Sequence, residues 1–177
     1  MKPPMRLSDH AASTQRALYM WKVLRGIFLS SQFTLFEVDL WALHELGWWA
    51  VIPTNLQVRS NGEAVMGAGL AKAAAARFPE LPAAYGRYLA DGKRRMAKRD
   101  LRLILAPSKH HWKEDADLEL IEESCRAIGD YARADDMVIA MPPFGCGLGG
   151  LDWQEIHPLV MEWLNLPHGK VYLLKGQ

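Results

Sequence analysis

What most constrains this chain is a pair of glycine-rich turns, each closing an apolar run and leading into a helical pattern. They read V-M-G-A-G-L-A over residues 65–71 and G-C-G-L-G-G-L-D-W over residues 145–153. Glycine allows close approach to bare backbone N–H groups, and a helix N-terminus behind them adds partial positive charge. One such turn is an ordinary strand-to-helix connection. Two in a chain of 177 residues describe facing walls of a cleft suited to a diphosphate. Neither turn carries G-K-S or G-K-T, and neither spells G-x-G-x-x-G, which disfavours a P-loop kinase and an ordinary dinucleotide-binding domain.

The rest of the composition bounds the setting. Half of the residues are hydrophobic and 23% are charged, enough apolar material for a single packed core. A net charge of +1 makes no global case for nucleic acid or membrane. Cys125 and Cys146 are too few for a disulfide framework, so a reducing, cytoplasmic setting is the expectation. No apolar stretch approaches a membrane span, and the first residues, M-K-P-P-M-R, are not followed by a secretory core. No Cys/His cluster has zinc spacing, so neither metal nor cofactor is expected.

Residues 1–32 read as an N-terminal extension with room for one short helix over residues 14–25, and residues 33–177 as one domain. Strands are expected at 33–38, 48–53, 101–106, 137–141 and 171–174, and helices at 66–78, 81–89 and 152–164. A further helix is marked by the stripe Leu118, Ile121, Cys125, Ile128 and Tyr131. The strand at 48–53 is almost wholly apolar and so is expected at the centre of the sheet. This alternation implies a three-layer α/β/α domain around a largely parallel sheet, with ligands beyond the carboxyl ends of the strands, where both glycine turns fall. Asp152 and Glu155 have the spacing of a capping box, which would start a helix directly after the second turn.

Four motifs in order, V-I-P-T-N (51–55), V-M-G-A-G-L-A, A-P-S-K-H-H-W (106–112) and P-P-F-G-C-G-L-G-G-L-D-W (142–153), resemble the macrodomain family, and within it the ADP-ribosyl glycohydrolases that act on protein and on DNA. The resemblance implies a macrodomain sandwich with a mixed, largely parallel sheet and a pocket for ADP-ribose. By the same resemblance, Asp39, followed by Leu40, meets the adenine amino group, for which a carboxylate acceptor is chemically apt. Met66, Gly67, Ala68 and Gly69 on one wall and Gly145, Cys146, Gly147, Leu148 and Gly149 on the other hold the diphosphate. Asn55 touches the distal ribose, with Asn61 as the alternative. Lys109 acts at C1 of that ribose, as nucleophile or by stabilising charge. Nucleophilic use requires a neutral fraction, hence desolvated or cationic surroundings, for which His110, His111 and Trp112 are the candidates.

Two departures qualify the resemblance. Protein-directed relatives carry an aspartate where this chain has Gly149, whereas DNA-directed ones carry glycine. Residues 56–64 form a longer connection than the compact family pattern, able to cover the pocket or to read the group attached to ADP-ribose. The run Lys93, Arg94, Arg95, Lys98 and Arg99 would suit a phosphate backbone and keeps DNA among the expected partners. Cys146 has no assigned base and is not taken as a nucleophile. The expected function is an ADP-ribosyl glycohydrolase using Lys109 on DNA or protein. The alternatives are a non-catalytic reader of ADP-ribose or a related nucleotide, and an ADP-ribose 1″-phosphate phosphatase.

Overall fold

The computed structural model describes residues 39–134, 137–165 and 171–174. The N-terminal extension, the short helix expected within it at 14–25 and the strand expected at 33–38 lie outside the described residues. Five strands form one sheet: β1 (Trp49–Asn55), β2 (Met96–Lys98), β3 (Leu103–Lys109), β4 (Ile139–Met141) and β5 (Val171–Leu173). Their order is β2-β3-β1-β4-β5, so the apolar strand β1 is indeed central. The β3, β1, β4 and β5 pairings are parallel, and β2 alone runs antiparallel, against β3.

Strand alternation divides the core. Ala50, Ile52, Leu103, Leu105 and Ala140 join one buried cluster, and Val51, Ile104, Ala106, Ile139 and Met141 join the other. The first cluster is covered by helices α1 (Leu40–Glu45), α2 (Gly69–Arg77) and α3 (Leu81–Ala90), the second by α4 (Leu118–Ala134) and α5 (Trp153–Leu164). Every residue of β3 is buried, as a strand covered on both faces must be. The result is the α/β/α sandwich expected from the alternation. Trp48 packs against the first cluster and Trp49, Trp153 and Trp163 against the second.

Edge strand β2 was not expected. It occupies the middle of the basic run, which reads locally as a solvated turn. Pairing of Met96 with Leu105 and Lys98 with Leu103, together with burial of Met96, overrides that local signal. No described helix is long and apolar enough to cross a membrane.

Candidate functional site

Strands β1 and β3 end together, Asn55 opposite Lys109, after a register shift between Thr54 and Asn55. Beyond these ends opens a cavity of about 870 Å³, lined by both glycine turns, by Asp39 and Leu40, by the ends of β1 and β3, and by Trp112.

The first wall is a helix start left open. Ala68 is extended (φ −143°, ψ 161°) and caps α2 without a side-chain hydrogen bond, while Gly69 takes the left-handed φ of +52°. The first four amides of a helix have no intrahelical acceptor, and Gly67 to Ala71 all line the cavity. The helix therefore begins at Gly69 rather than at residue 66, because residues 67 and 68 are spent on the turn. Met66 is a correction: it is 5% exposed within the first core cluster and lies outside the cavity wall.

The second wall closes upon itself. Gly149 N–H donates to Cys146 O (3.5 Å), Gly150 N–H to Gly147 O (3.0 Å) and Leu151 N–H to Gly145 O (3.3 Å), around a 3-10 turn at Gly147–Gly149. Gly149 lines the cavity, but its amide is turned into the loop and not toward a ligand. The amides of Cys146 and Leu148 take part in none of these bonds. At Gly145 the left-handed φ of +78° favours glycine, and a Cβ there would also stand 2.5 Å from the Ile121 Cδ1 end, which would have to shift. A Cβ on Gly149 would meet Ala116 Cβ at 3.0 Å, so a side chain at this position would have to push Ala116 back by a few tenths of an ångström. The two walls nearly touch: Leu148 Cδ1 lies 4.0 Å from where a Cβ on Gly69 would be.

Lys109 ties this arrangement together. It is 8% exposed, and its Nζ donates to Glu114 O and to Leu148 O, both at 2.7 Å. Burial of an ammonium costs several kcal/mol unless it is hydrogen-bonded, and these two charge-assisted bonds offset that cost. One of its three donors remains for a ligand. The cationic surroundings expected from the histidines are not found. His110 faces Asp117, with Nε2 to Oδ2 at 3.6 Å, and His111 Nδ1 accepts from Lys113 N–H. The neighbours of Nζ are carbonyl oxygens, which suit a held cation.

Asn55 reaches the cavity and Asn61 does not. The Asn55 Nδ2 group donates to Val65 O (2.9 Å) and its Oδ1 accepts from Gln57 N–H (3.0 Å), so it braces the following loop and keeps one N–H for a ligand. Asn61 Oδ1 accepts from Glu63 N–H in an exposed local turn. Asp39 caps α1 by accepting from Trp41 N–H at 3.1 Å through Oδ1, which leaves Oδ2 facing an exposed rim. Of the described residues that line the cavity, Asp39 alone carries a carboxylate. Asp152 caps α5, accepting from Gln154 N–H at 2.7 Å, so the cap bond goes to the second amide and not to that of Glu155.

Other candidates are resolved by their neighbours. Burial, with Asp152 nearby, pushes the Cys146 thiol up, the wrong direction for a nucleophile; Cys125 is buried and pushed up to about 12. In the basic run, Arg94 and Arg95 pair with Glu123, Lys98 with Asp100 and Lys93 with Asp91. These local pairings disfavour a continuous track for a phosphate backbone. Trp112 is 53% exposed, stacked on His111 at 5.7 Å with Lys113 Nζ 5.0 Å from its ring centre. Arg59, on the long connection after β1, also lines the cavity and was missed by sequence reading. A lone cation in a polar stretch carries no periodic signal, and only its inserted setting singles it out. Among the described residues, no group of His, Cys, Asp or Glu is arranged to hold a metal ion.

A largely parallel sheet with two glycine walls at its carboxyl edge, and a buried lysine bonded to the second of them, accords with the family whose model the chain matches. The Macro domain model covers residues 60–160, and this chain belongs to that family. It is 30% identical to a DNA ADP-ribosyl transferase–DNA ADP-ribosyl glycohydrolase fusion protein of Thermosipho africanus, over 63% of this chain and 35% of that one. It is also 30% identical to a DNA ADP-ribosyl glycohydrolase of Mycobacterium tuberculosis, over 60% of this chain and 34% of the relative. The chain thus spans about a third of the length of these curated relatives. Its fold resembles the macrodomain of Mycobacterium tuberculosis DarG, with TM-score 0.67 and 24% identity over 84% of this chain and all of that one. It resembles Thermosipho africanus DarTG in complex with ADP-ribose with TM-score 0.66 and 24% identity, over 84% of this chain and 42% of that one.

Proposed function

We propose that this macro domain binds ADP-ribose and hydrolyses the bond between C1 of the distal ribose and an attached DNA base. The observation that carries the reading is Lys109, a buried ammonium held at the cavity by Glu114 O in the loop after β3 and by Leu148 O in the second glycine wall, with one N–H to spare. In this scheme the diphosphate lies between the glycine walls, Asp39 Oδ2 accepts from the adenine amino group, and Asn55 meets the distal ribose. Lys109 gives a proton to the departing atom, which takes the electron pair of the breaking C1 bond. Water adds its oxygen at C1, and its proton returns to the lysine amine. The exposed Trp112 ring lines the cavity, and displacement of His111 or Lys113 from it would open a flat apolar face, which suits a nucleobase better than a carboxylate side chain. The DNA-directed activity named for the relatives accords with this choice.

A second reading, a non-catalytic reader, is favoured by one observation: among the described residues that line the cavity the only carboxylate is that of Asp39, assigned to the adenine, so none is left as an acid–base partner for Lys109. Incubation with ADP-ribosylated DNA, ADP-ribosylated protein and ADP-ribose 1″-phosphate, with ADP-ribose or phosphate release measured, separates the possibilities. Release from DNA is expected, and Lys109→Ala should slow it about 100-fold or more. Lys109→Arg keeps a cation for the two carbonyls but cannot release a proton, so it should retain ADP-ribose binding without turnover. Tight ADP-ribose binding with no turnover of any substrate would establish the reader.

A further inference from the structure

The long connection between β1 and α2 is a built arm, not a slack loop. At its base Asn55 bonds both Gln57 N–H and Val65 O, and Val65 N–H donates to Gln57 O at 2.9 Å. Val58 and Ala64 form an antiparallel bridge, and Arg59 N–H donates to Glu63 O at 2.7 Å while Gly62 N–H returns to Arg59 O at 2.9 Å. The arm also docks on α3: Ala64 N–H donates to Pro82 O at 2.9 Å, and the Gly62 carbonyl approaches so near Gly86 that a Cβ there would lie 1.9 Å from it.

This construction holds Arg59 over the first glycine wall. Its Nη2 is 4.0 Å from where a Cβ on Gly67 would stand, and the residue lines the cavity. Arg94, Arg95, Arg126 and Arg133 all pair with acidic side chains. Among the described residues Arg59 has no such partner, although a guanidinium is the side chain best matched to a planar pair of anionic oxygens. Its neighbours in the wall are N–H groups of an uncapped helix, themselves partially positive. A stiff arm that holds a cation beside them is electrostatically complete only when an anion lies between.

We propose that Arg59 binds a phosphate of the ligand, which makes the arm a second source of anion affinity beside the glycine turns. This rests on the ADP-ribose reading above. The phosphate has two possible sources, the diphosphate of ADP-ribose and the strand attached to it.

The test compares wild type, Arg59→Ala and Arg59→Lys, with folding checked by circular dichroism. Calorimetry with ADP-ribose and with inorganic pyrophosphate is paired with kcat/KM on an ADP-ribosylated mononucleoside and an ADP-ribosylated oligonucleotide. Loss of about tenfold or more in ADP-ribose and pyrophosphate affinity in Arg59→Ala, partly restored by lysine, assigns the diphosphate. Unchanged affinity for both, with a comparable fall in kcat/KM confined to the oligonucleotide, assigns the strand phosphate. No change in any arm overturns the proposal. A wild type that fails to bind ADP-ribose overturns the ADP-ribose reading instead, and pyrophosphate binding still decides whether Arg59 holds an anion.

Discussion

The two glycine walls look alike in sequence and are stabilised in opposite ways. The first is open: an uncapped helix start whose amides line the cavity, with a separate arm leaning over it. The second is closed: its later amides bond within the loop, its first glycine is packed against Ile121, and Lys109 holds one of its carbonyls. Glycine serves conformation in both walls, through left-handed φ at Gly69, Gly145, Gly147 and Gly150, and in the second wall Gly145 and Gly149 also sit close against neighbouring side chains. Similar motifs therefore predict different responses to the same substitution.

The largest effect is expected from the support of the first wall. Replacing a helical glycine by alanine ordinarily stabilises by about 1 kcal/mol, but at Gly86 the new methyl would collide with the Gly62 carbonyl. Backbone displacement of this kind costs about 3 kcal/mol or more, so Gly86→Ala should lower Tm by about 6–12 °C. In the folded fraction ADP-ribose binding should weaken, as calorimetry would detect. An unchanged Tm would mean that the arm is not docked.

Within the second wall the glycines should divide. Gly145→Ala meets Ile121 and Leu151 side-chain ends in a left-handed backbone, at about 1–3 kcal/mol for overpacking plus about 1–2 kcal/mol for the backbone. Gly147→Ala, with nothing within 4 Å, carries only the backbone cost. Thermal denaturation should rank them in that order, and equal losses would remove the packing role.

The smallest effect concerns Asp39, outside both walls. Asp39→Ala should cost about 0.5–2 kcal/mol in stability through its lost cap and about 1–3 kcal/mol in ADP-ribose affinity. Asp39→Ser restores the cap but not the acceptor, so Tm should recover while affinity stays low. An inosine analogue of the ligand should be affected much less. Recovery of both properties in the serine variant would reduce Asp39 to a helix cap.

Much of this was legible in the sequence because it depends on local chemistry. Glycines 67, 69, 145 and 147 mark their turns, the apolar run in β1 marks a central strand, and Lys109 ends the strand that presents it. What was not legible depends on distant neighbours. β2 exists because β3 lies beside it, and two cations of the Lys93 to Arg99 run, Arg94 and Arg95, pair with Glu123 on a helix far along the chain. The stiffness of the arm is set by Pro82 and Gly86 on α3, so the sequence shows only a connection of unusual length. Met66 was drawn into the site by adjacency to the turn, although its burial follows from the core beneath.

The double tether of Lys109 bears on what a covalent mechanism would entail. An amine that forms an imine with C1 has one N–H at most, so it can no longer hold both Glu114 O and Leu148 O. Formation of such an adduct would therefore release at least one of the two loops, and hydrolysis would fasten it again. Chemistry and gate would then be a single event. Amide hydrogen exchange in residues 110–117 and 145–150 would rise on borohydride trapping if the lysine is the nucleophile, and would stay protected through turnover if it only donates a proton.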